Sequence, residues 1–389
     1  MTAPVTRRAL LVGAGGAATL SGATLAGAGE AAEAASSLAD LAERRGLVFG
    51  SSAATWQLDR GYRRLHARQA GLLLTEDDLL WHRIKPRPRA ALDFRRGDRI
   101  VGWARAQGQR VLGAHLVWDQ GFGPGWRGDA LWGLTRPEAE RLLHGVVRTE
   151  VAHYRGRADA WVVANEVTGP HRADRHGFRR DVPWYATIGP TYVADCFHLA
   201  AETDPGALLV LNEFGFETVD ERGDRPGPRR RAFLAALDRL LDREAPVQGV
   251  GLQAHLLAER FAERFDPRSY RAFLAEVAAR GLPVLVTELD VLDDGLPTGF
   301  DRRDRGVAEV HRRYLEVLLD EPAVKAVVTF GLTDRYTWLD EDRPRRDGTH
   351  RRPLAFDRRL RPKPAHDAIV RALRHAPGRA PLWEPVTRG

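Results

Sequence analysis

The chain has 389 residues, 43% hydrophobic and 29% charged, which supplies apolar material for a large core and excludes an intrinsically disordered chain. Its formal net charge of +7 comes almost wholly from arginine, since Lys85, Lys325 and Lys363 are the only lysines. The basic residues are scattered among Asp and Glu without an arm or stripe, so the excess is a solvated surface and nucleic acid is not an expected partner.

The chain opens with Thr6-Arg-Arg-Ala-Leu-Leu11, paired arginines before a Gly/Ala-rich apolar run to about Gly29, with small-residue sites around Ala28 and Ala34. This pattern matches a secretory signal of the twin-arginine kind. A membrane anchor fits less well, because the run is short and built from Gly and Ala rather than Leu and Ile. Residues 1–36 are therefore assigned to the signal and 37–389 to one folded domain, with export, no stable membrane insertion after signal removal, and a monomeric state expected. Cys196 is the only cysteine, which rules out an internal disulfide or a cysteine-based zinc site. It lies in a helical-looking stretch, Val193–Ala200, as an inert buried thiol.

Beyond the signal, short apolar runs alternate with longer helical patterns. The runs are Leu47–Ala53, Gly71–Leu74, Arg110–Val117, Ala160–Asn165, Leu208–Leu211, Gly249–Gln253, Pro283–Thr287 and Ala326–Gly331. Segments such as Arg229–Arg243 and Tyr270–Arg280 lie between them, apolar at helical spacing on one face and charged on the other. Eight strands alternating with helices predict α/β architecture, a parallel sheet closed into a single (β/α)8 TIM barrel. A doubly wound open sheet is the rival, but no Gly-rich phosphate loop opens a helix. No cofactor or metal is expected. Thr218–Arg231, rich in charge, Gly and Pro, is predicted to be a long surface loop.

A barrel makes a demand on the sequence: polar residues should gather at the strands' C-terminal ends. They do, as Trp118-Asp-Gln120, Asn165-Glu166, Asn212-Glu213, Gln253-Ala-His255, Glu288-Leu-Asp290 and Thr333–Trp338. Taken alone, Glu288 at the end of Pro283–Thr287 could equally cap the following helix. However, Glu166 and Glu288 are 122 residues apart, three βα units, which sets them across the barrel mouth from each other. Two carboxylates framing a cleft are what glycoside hydrolysis needs: one protonates the leaving oxygen, the other attacks or activates water. Asn165 is placed to bond a sugar hydroxyl, and His255 to orient Glu288 with Asp290 on the far side of the ring. Glu213 is a decoy acid with at most a hydrogen-bonding role in the cleft. Trp126 and Trp132 either line the leaving-group side or pin the Gly121–Gly128 loop. A metal-dependent barrel hydrolase is disfavoured because Thr55-Trp-Gln57 follows the first strand instead of a His-x-His pair.

The segments Trp161–Glu166, Gly249–Leu256, Val286–Val291, Gly331–Trp338, Pro353–Asp357 and Arg361–Ala365 resemble, in order, the motifs of glycoside hydrolase family 10, the endo-β-1,4-xylanase family. The resemblance spans about residues 47–373. It implies Glu166 as acid/base and Glu288 as nucleophile of a double displacement that retains anomeric configuration. It also implies that Glu76, Trp118, Asn165, Asn212, Gln253 and Trp338 bind substrate, and that His255 and Asp290 support the nucleophile. The implied partner is a polysaccharide or oligosaccharide.

The pattern breaks on the glycone side. Asp77 stands where the family has asparagine, Leu80 where it has a sugar-binding lysine, Ala114 and Asp119 where it has histidines, and Phe330 where it has tryptophan. His115 neighbours Ala114, but strand neighbours point to opposite faces, so it is expected to be a poor substitute. A lost charged hydrogen bond to substrate is worth about 1.5–3 kcal/mol, so these changes imply the family mechanism with altered sugar specificity. Arabinan, glucan and aryl glycosides stand beside xylan as substrates, and a non-catalytic carbohydrate-binding barrel is the remaining alternative.

Overall fold

The structure is a computed structural model that describes residues 36–126, 129–219 and 223–384. The segment expected to be a signal, Ser36 apart, lies outside the described residues, as do the last two residues of the Gly121–Gly128 loop.

The barrel strands are β1 (Val48–Ala53), β2 (Leu72–Thr75), β3 (Arg110–Gly113), β4 (Ala160–Asn165), β5 (Leu208–Glu213), β6 (Gly249–Leu252), β8 (Val284–Leu292) and β9 (Val324–Thr329). Each pairs in parallel with the next, β1 pairs with β9 (Val48↔Ala326), and β6 pairs with β8 (Val250↔Val284), which closes the ring. A short strand, β7 (His255–Leu257), continues past β6 alongside the long end of β8, with His255 opposite Asp290. The expected (β/α)8 barrel is what forms.

Strand alternation sorts the side chains. Leu72, Leu74, Leu112, Ala160 and Val162 fill the barrel interior, while Leu73, Val111, Trp161 and Val163 point outward into the larger core beneath the helices. All are buried, and each large one contributes about 1.5–3 kcal/mol of transfer free energy. The helices start where the sequence offers caps. The Ser37 side chain accepts from the Asp40 N–H, Asp59 caps Arg60–Gln69, and Asp266 caps Pro267–Ala278.

Two expectations need correction. Helix Pro226–Leu241 begins inside the stretch assigned to a long loop, because proline at a first helical turn loses no hydrogen bond. In addition, β3 stops at Gly113 rather than Val117, and Val117 makes only an isolated bridge to Ala164. Cys196 is buried on helix Tyr192–Thr203, as expected.

Candidate active site

The C-terminal strand ends open into a cleft of about 610 Å³ whose lining includes Glu76, Trp118, Asn165, Glu166, Gln253, His255, Glu288 and Trp338. Glu166 is the first residue past β4 and takes a left-handed backbone, φ 55°. Both its peptide groups are tied: its N–H donates to Asn212 O at 3.1 Å, and its carbonyl accepts from Arg179 Nη1 at 3.0 Å. Its carboxylate accepts from Gln253 Nε2 at 3.0 Å and from Gln120 Nε2 at 3.1 Å. Burial, with the negative charges of Glu213, Asp119 and Glu288 nearby, pushes its pKa up to about 7 against the opposing Gln253 bond.

Glu288 is held differently. Asn212 Nδ2 donates to its Oε1 at 2.8 Å, and His255 Nε2 lies 3.3 Å from its Oε2. Burial pushes its pKa up, but the His255 bond and charge and the Asn212 bond outweigh that, and the net shift is downward. His255 Nδ1 is 2.8 Å from Asp290 Oδ1, and Trp338 Nε1 donates to Asp290 Oδ2 at 2.7 Å. Burial works against a charged His255, yet Asp290 and Glu288 prevail and raise its pKa well above the usual value. The imidazolium then donates once to each carboxylate.

A ladder of amides joins the two glutamates. Gln253 Nε2 reaches Glu166 and Asn165 Oδ1 (3.1 Å), and Asn212 Nδ2 reaches the same Asn165 oxygen (2.9 Å) and Glu288. Asn165 Nδ2 is buried with no partner among the described residues. Asn212 does not line the cleft, against the expectation that it binds substrate: it is fully buried, both its amide hydrogens are used, and its Oδ1 accepts from Thr287 Oγ1 at 2.8 Å. Gly251 makes this possible, since a Cβ there would lie 2.1 Å from Asn212 Oδ1. Gln253 does line the cleft, but its amide hydrogens are likewise committed. Glu213 is no cleft residue either; Thr168 and the Phe214 N–H hold it behind the wall.

Glu76 sits at the rim with Ser52 Oγ at 2.6 Å and Gln57 Nε2 at 2.7 Å, its pKa raised by burial to about 7. Trp126 is buried and pins its loop through Nε1 to Lys85 O at 2.6 Å, while Trp132 is exposed and away from the cleft. The family departures have local partners. Asp77 is engaged by His82 Nε2 (2.8 Å) and Arg83 Nε (2.7 Å), and Asp119 by Arg179 Nη2 (3.0 Å). Leu80 and Phe330 line the cleft, and Ala114 turns into the barrel interior. His115 lines the cleft, contrary to the alternation argument: that rule ends with β3 at Gly113. Gln120, which the sequence places at the mouth without a role, is a further site residue, as are Arg179 and the exposed cleft residue Trp56, which the sequence did not single out. Among the described residues, no group of three His, Cys, Asp or Glu side chains is arranged to hold a metal ion.

The model of glycosyl hydrolase family 10 matches residues 37–372. The chain belongs to that family. Endo-1,4-beta-xylanase B of Thermotoga neapolitana is 30% identical over 335 residues, covering 85% of this chain and 89% of that enzyme. Native xylanase 10B from Thermotoga maritima superposes with a TM-score of 0.74 at 30% identity, covering 87% of this chain and 98% of the other. Xylanase 10B from Thermotoga petrophila RKU-1, solved in complex with xylobiose, gives 0.74 at 29% identity over 87% of this chain and 97% of the other. The family 10 chain is thus a glycoside hydrolase of the endo-1,4-β-xylanase type.

Proposed function

We propose that this family 10 enzyme is exported and cleaves a β-1,4-linked, xylan-type polysaccharide with retention, Glu166 serving as acid/base and Glu288 as nucleophile. The observation that carries the assignment is the opposite electrostatics of the two carboxylates. Glu166, raised to about 7, keeps its proton for the leaving oxygen near neutral pH. Glu288, lowered by His255 and its neighbours, stays ionised to attack the anomeric carbon. In the first step a Glu288 oxygen bonds to that carbon while Glu166 protonates the departing glycosidic oxygen. In the second, Glu166 as carboxylate takes a proton from water, which displaces Glu288 and restores both groups.

The unpartnered Asn165 Nδ2 supports a role in bonding a hydroxyl of the reacting sugar. Trp56, Trp118 and Trp338 offer aromatic faces for sugar rings. Leu80 and Ala114, in place of a lysine and a histidine, support a glycone side read differently from that of ordinary xylanases. The paired-arginine segment within residues 1–36 supports export. No helix among the described residues is long and apolar enough to cross a membrane.

The test is product analysis on xylan, glucan, arabinan and aryl glycosides, with the first-formed anomer followed by NMR, for the parent and for Glu288→Gln. Retained configuration, with hydrolysis abolished and polysaccharide binding kept in the variant, is the expected result. An inverted first product, or a variant as active as the parent, would overturn the mechanism.

A further inference from the structure

His115 is a buried polar side chain that the fold does not use. It is 6% exposed, lines the cleft, and sits edge-on to Trp118 with ring centroids 5.3 Å apart. Among the described residues neither of its ring nitrogens has a hydrogen-bond partner, and Nδ1 is buried outright. The other buried histidines differ. His66 bonds Ser51 O through Nε2 (3.2 Å) and meets Gln109 Nε2 through Nδ1 (3.1 Å), and His311 bonds Val307 O through Nδ1 (3.0 Å), which leaves only its Nε2 without a partner among the described residues. An unpaired buried polar group costs about 1–3 kcal/mol, which a purely structural histidine would avoid and a ligand would offset.

The surroundings narrow the ligand. Burial disfavours the charged imidazole against the opposing pull of Glu288, so the ring is neutral, with one N–H and one lone pair. Glu288 stands close enough to repel an anionic substituent. A neutral hydroxyl, which donates and accepts, fits both constraints. We propose that His115 is a substrate-binding residue of the cleavage subsite, bonding a hydroxyl of the neutral pyranose that sits over Glu288. It would do the work of the histidine replaced by Ala114, from the next residue along. This rests on the catalytic reading given above.

The experiment compares the parent enzyme, His115→Ala and His115→Gln on an aryl β-xylobioside and on its analogues lacking single hydroxyls of the reacting sugar. Thermal unfolding of each variant is followed alongside. His115→Ala should lower kcat/KM about 10- to 100-fold on the complete substrate. One monodeoxy analogue should erase the difference between parent and variant, and His115→Gln, which keeps an N–H, should recover part of the loss. If the Ala variant fails to fold, the Gln variant on the same analogues carries the test. Equal kcat/KM for parent and both variants, or a loss that no missing hydroxyl erases, overturns this proposal alone. A parent enzyme inactive on every β-glycoside tried overturns the catalytic reading, and this one with it.

Discussion

Arg179 Nη1 donates to the backbone carbonyl of Glu166 at 3.0 Å from a guanidinium that also holds Asp119 through Nη2 (3.0 Å) and Asp181 through Nε (3.1 Å). A left-handed backbone at a glutamate costs on the order of 1–3 kcal/mol and persists only where its surroundings fix it. Here Asn212 fixes the Glu166 N–H and Arg179 fixes the carbonyl. Asp119, which replaces a family histidine, is therefore the anchor of the brace that aims Glu166. Arg179→Met should lower kcat about 10- to 100-fold while KM changes less than threefold, because the proposed acid is misplaced and the sugar contacts remain. Losing one partner of a largely buried ion pair should also cost about 3–5 kcal/mol of stability. Steady-state kinetics and urea unfolding measure both. A variant that loses stability but keeps kcat would reduce Arg179 to a structural clamp.

The parts of this site that the sequence displayed are those written within a single strand. An apolar run that ends in Asn165-Glu166 or Glu288-Leu-Asp290 announces both the barrel and its mouth, because strand ends and catalytic positions coincide in this fold. Contacts made across long separations leave no such local mark. Gln120 meets Glu166 across 46 residues and Arg179 meets Asp119 across 60, and both lie in loops whose path the sequence does not fix. Asn212 misleads for a different reason. A polar residue at a strand end points by default to the cleft, but Gly251 lets this one fold back against the wall. His115 misleads because Arg110–Val117 reads as one continuous strand, while the strand ladder stops at Gly113.

Glu166 links activity to stability through pH. Its pKa rises from 4.5 in the unfolded chain to about 7 in the folded one, so the folded state binds the extra proton between those values. Stability from this group is therefore full below about pH 4.5 and declines as pH rises through 7, by on the order of 3 kcal/mol in all. Glu166→Gln removes the titration. Its unfolding free energy, compared with the parent's, should be higher at pH 8 and about equal at pH 4.5. In the parent, kcat/KM should fall on the alkaline side near pH 7 as Glu166, in its proposed role as acid, loses its proton. An identical pH dependence of stability in parent and variant would show that Glu166 titrates normally.

Asp293, fully buried just past β8, faces three arginines: Arg351 Nη1 at 2.9 Å, Arg303 Nη1 at 3.3 Å and Arg345 Nη1 at 3.5 Å. Arg345 also has Asp347, and Arg351 has Asp294, but Asp293 is the one acid paired with Arg303 among the described residues. Asp293→Asn keeps the size and removes the charge, leaving buried Arg303 uncompensated at a cost of about 3–5 kcal/mol. The segment from Arg343 to His350, tied to β8 through this cluster, should then be cut by trypsin faster than in the parent. Urea unfolding and limited proteolysis test the two halves of the prediction. Unchanged proteolysis would mean that Asp347 and Asp340 hold the segment without Asp293.

The lower end of the barrel is covered by the chain's own last described residues. Trp383 packs on the interior cluster of Leu72 and Leu112, with the Arg110 guanidinium 5.0 Å from its ring centre, and Leu382 packs on Val210, Leu285 and Ala326. Arg379 anchors this segment through Nη1 to the carbonyls of Glu321 and Val324, both at 2.8 Å. The strands' N-terminal ends lie here, opposite the cleft, where residues of a barrel serve stability rather than chemistry. Trp383→Ala should therefore lower unfolding free energy by about 2–4 kcal/mol, discounted from a full core loss because the ring is only partly buried. In the folded variant, kcat and KM at low temperature should match the parent's. A chain ending after Ala376 should show the same pattern more strongly, since it also loses Arg379. Calorimetry beside kinetics at 15 °C or so decides it. A fall in kcat without a fall in stability would mean that the lower plug communicates with the cleft, through the interior cluster on which Trp383 and the cleft residue Phe330 both pack.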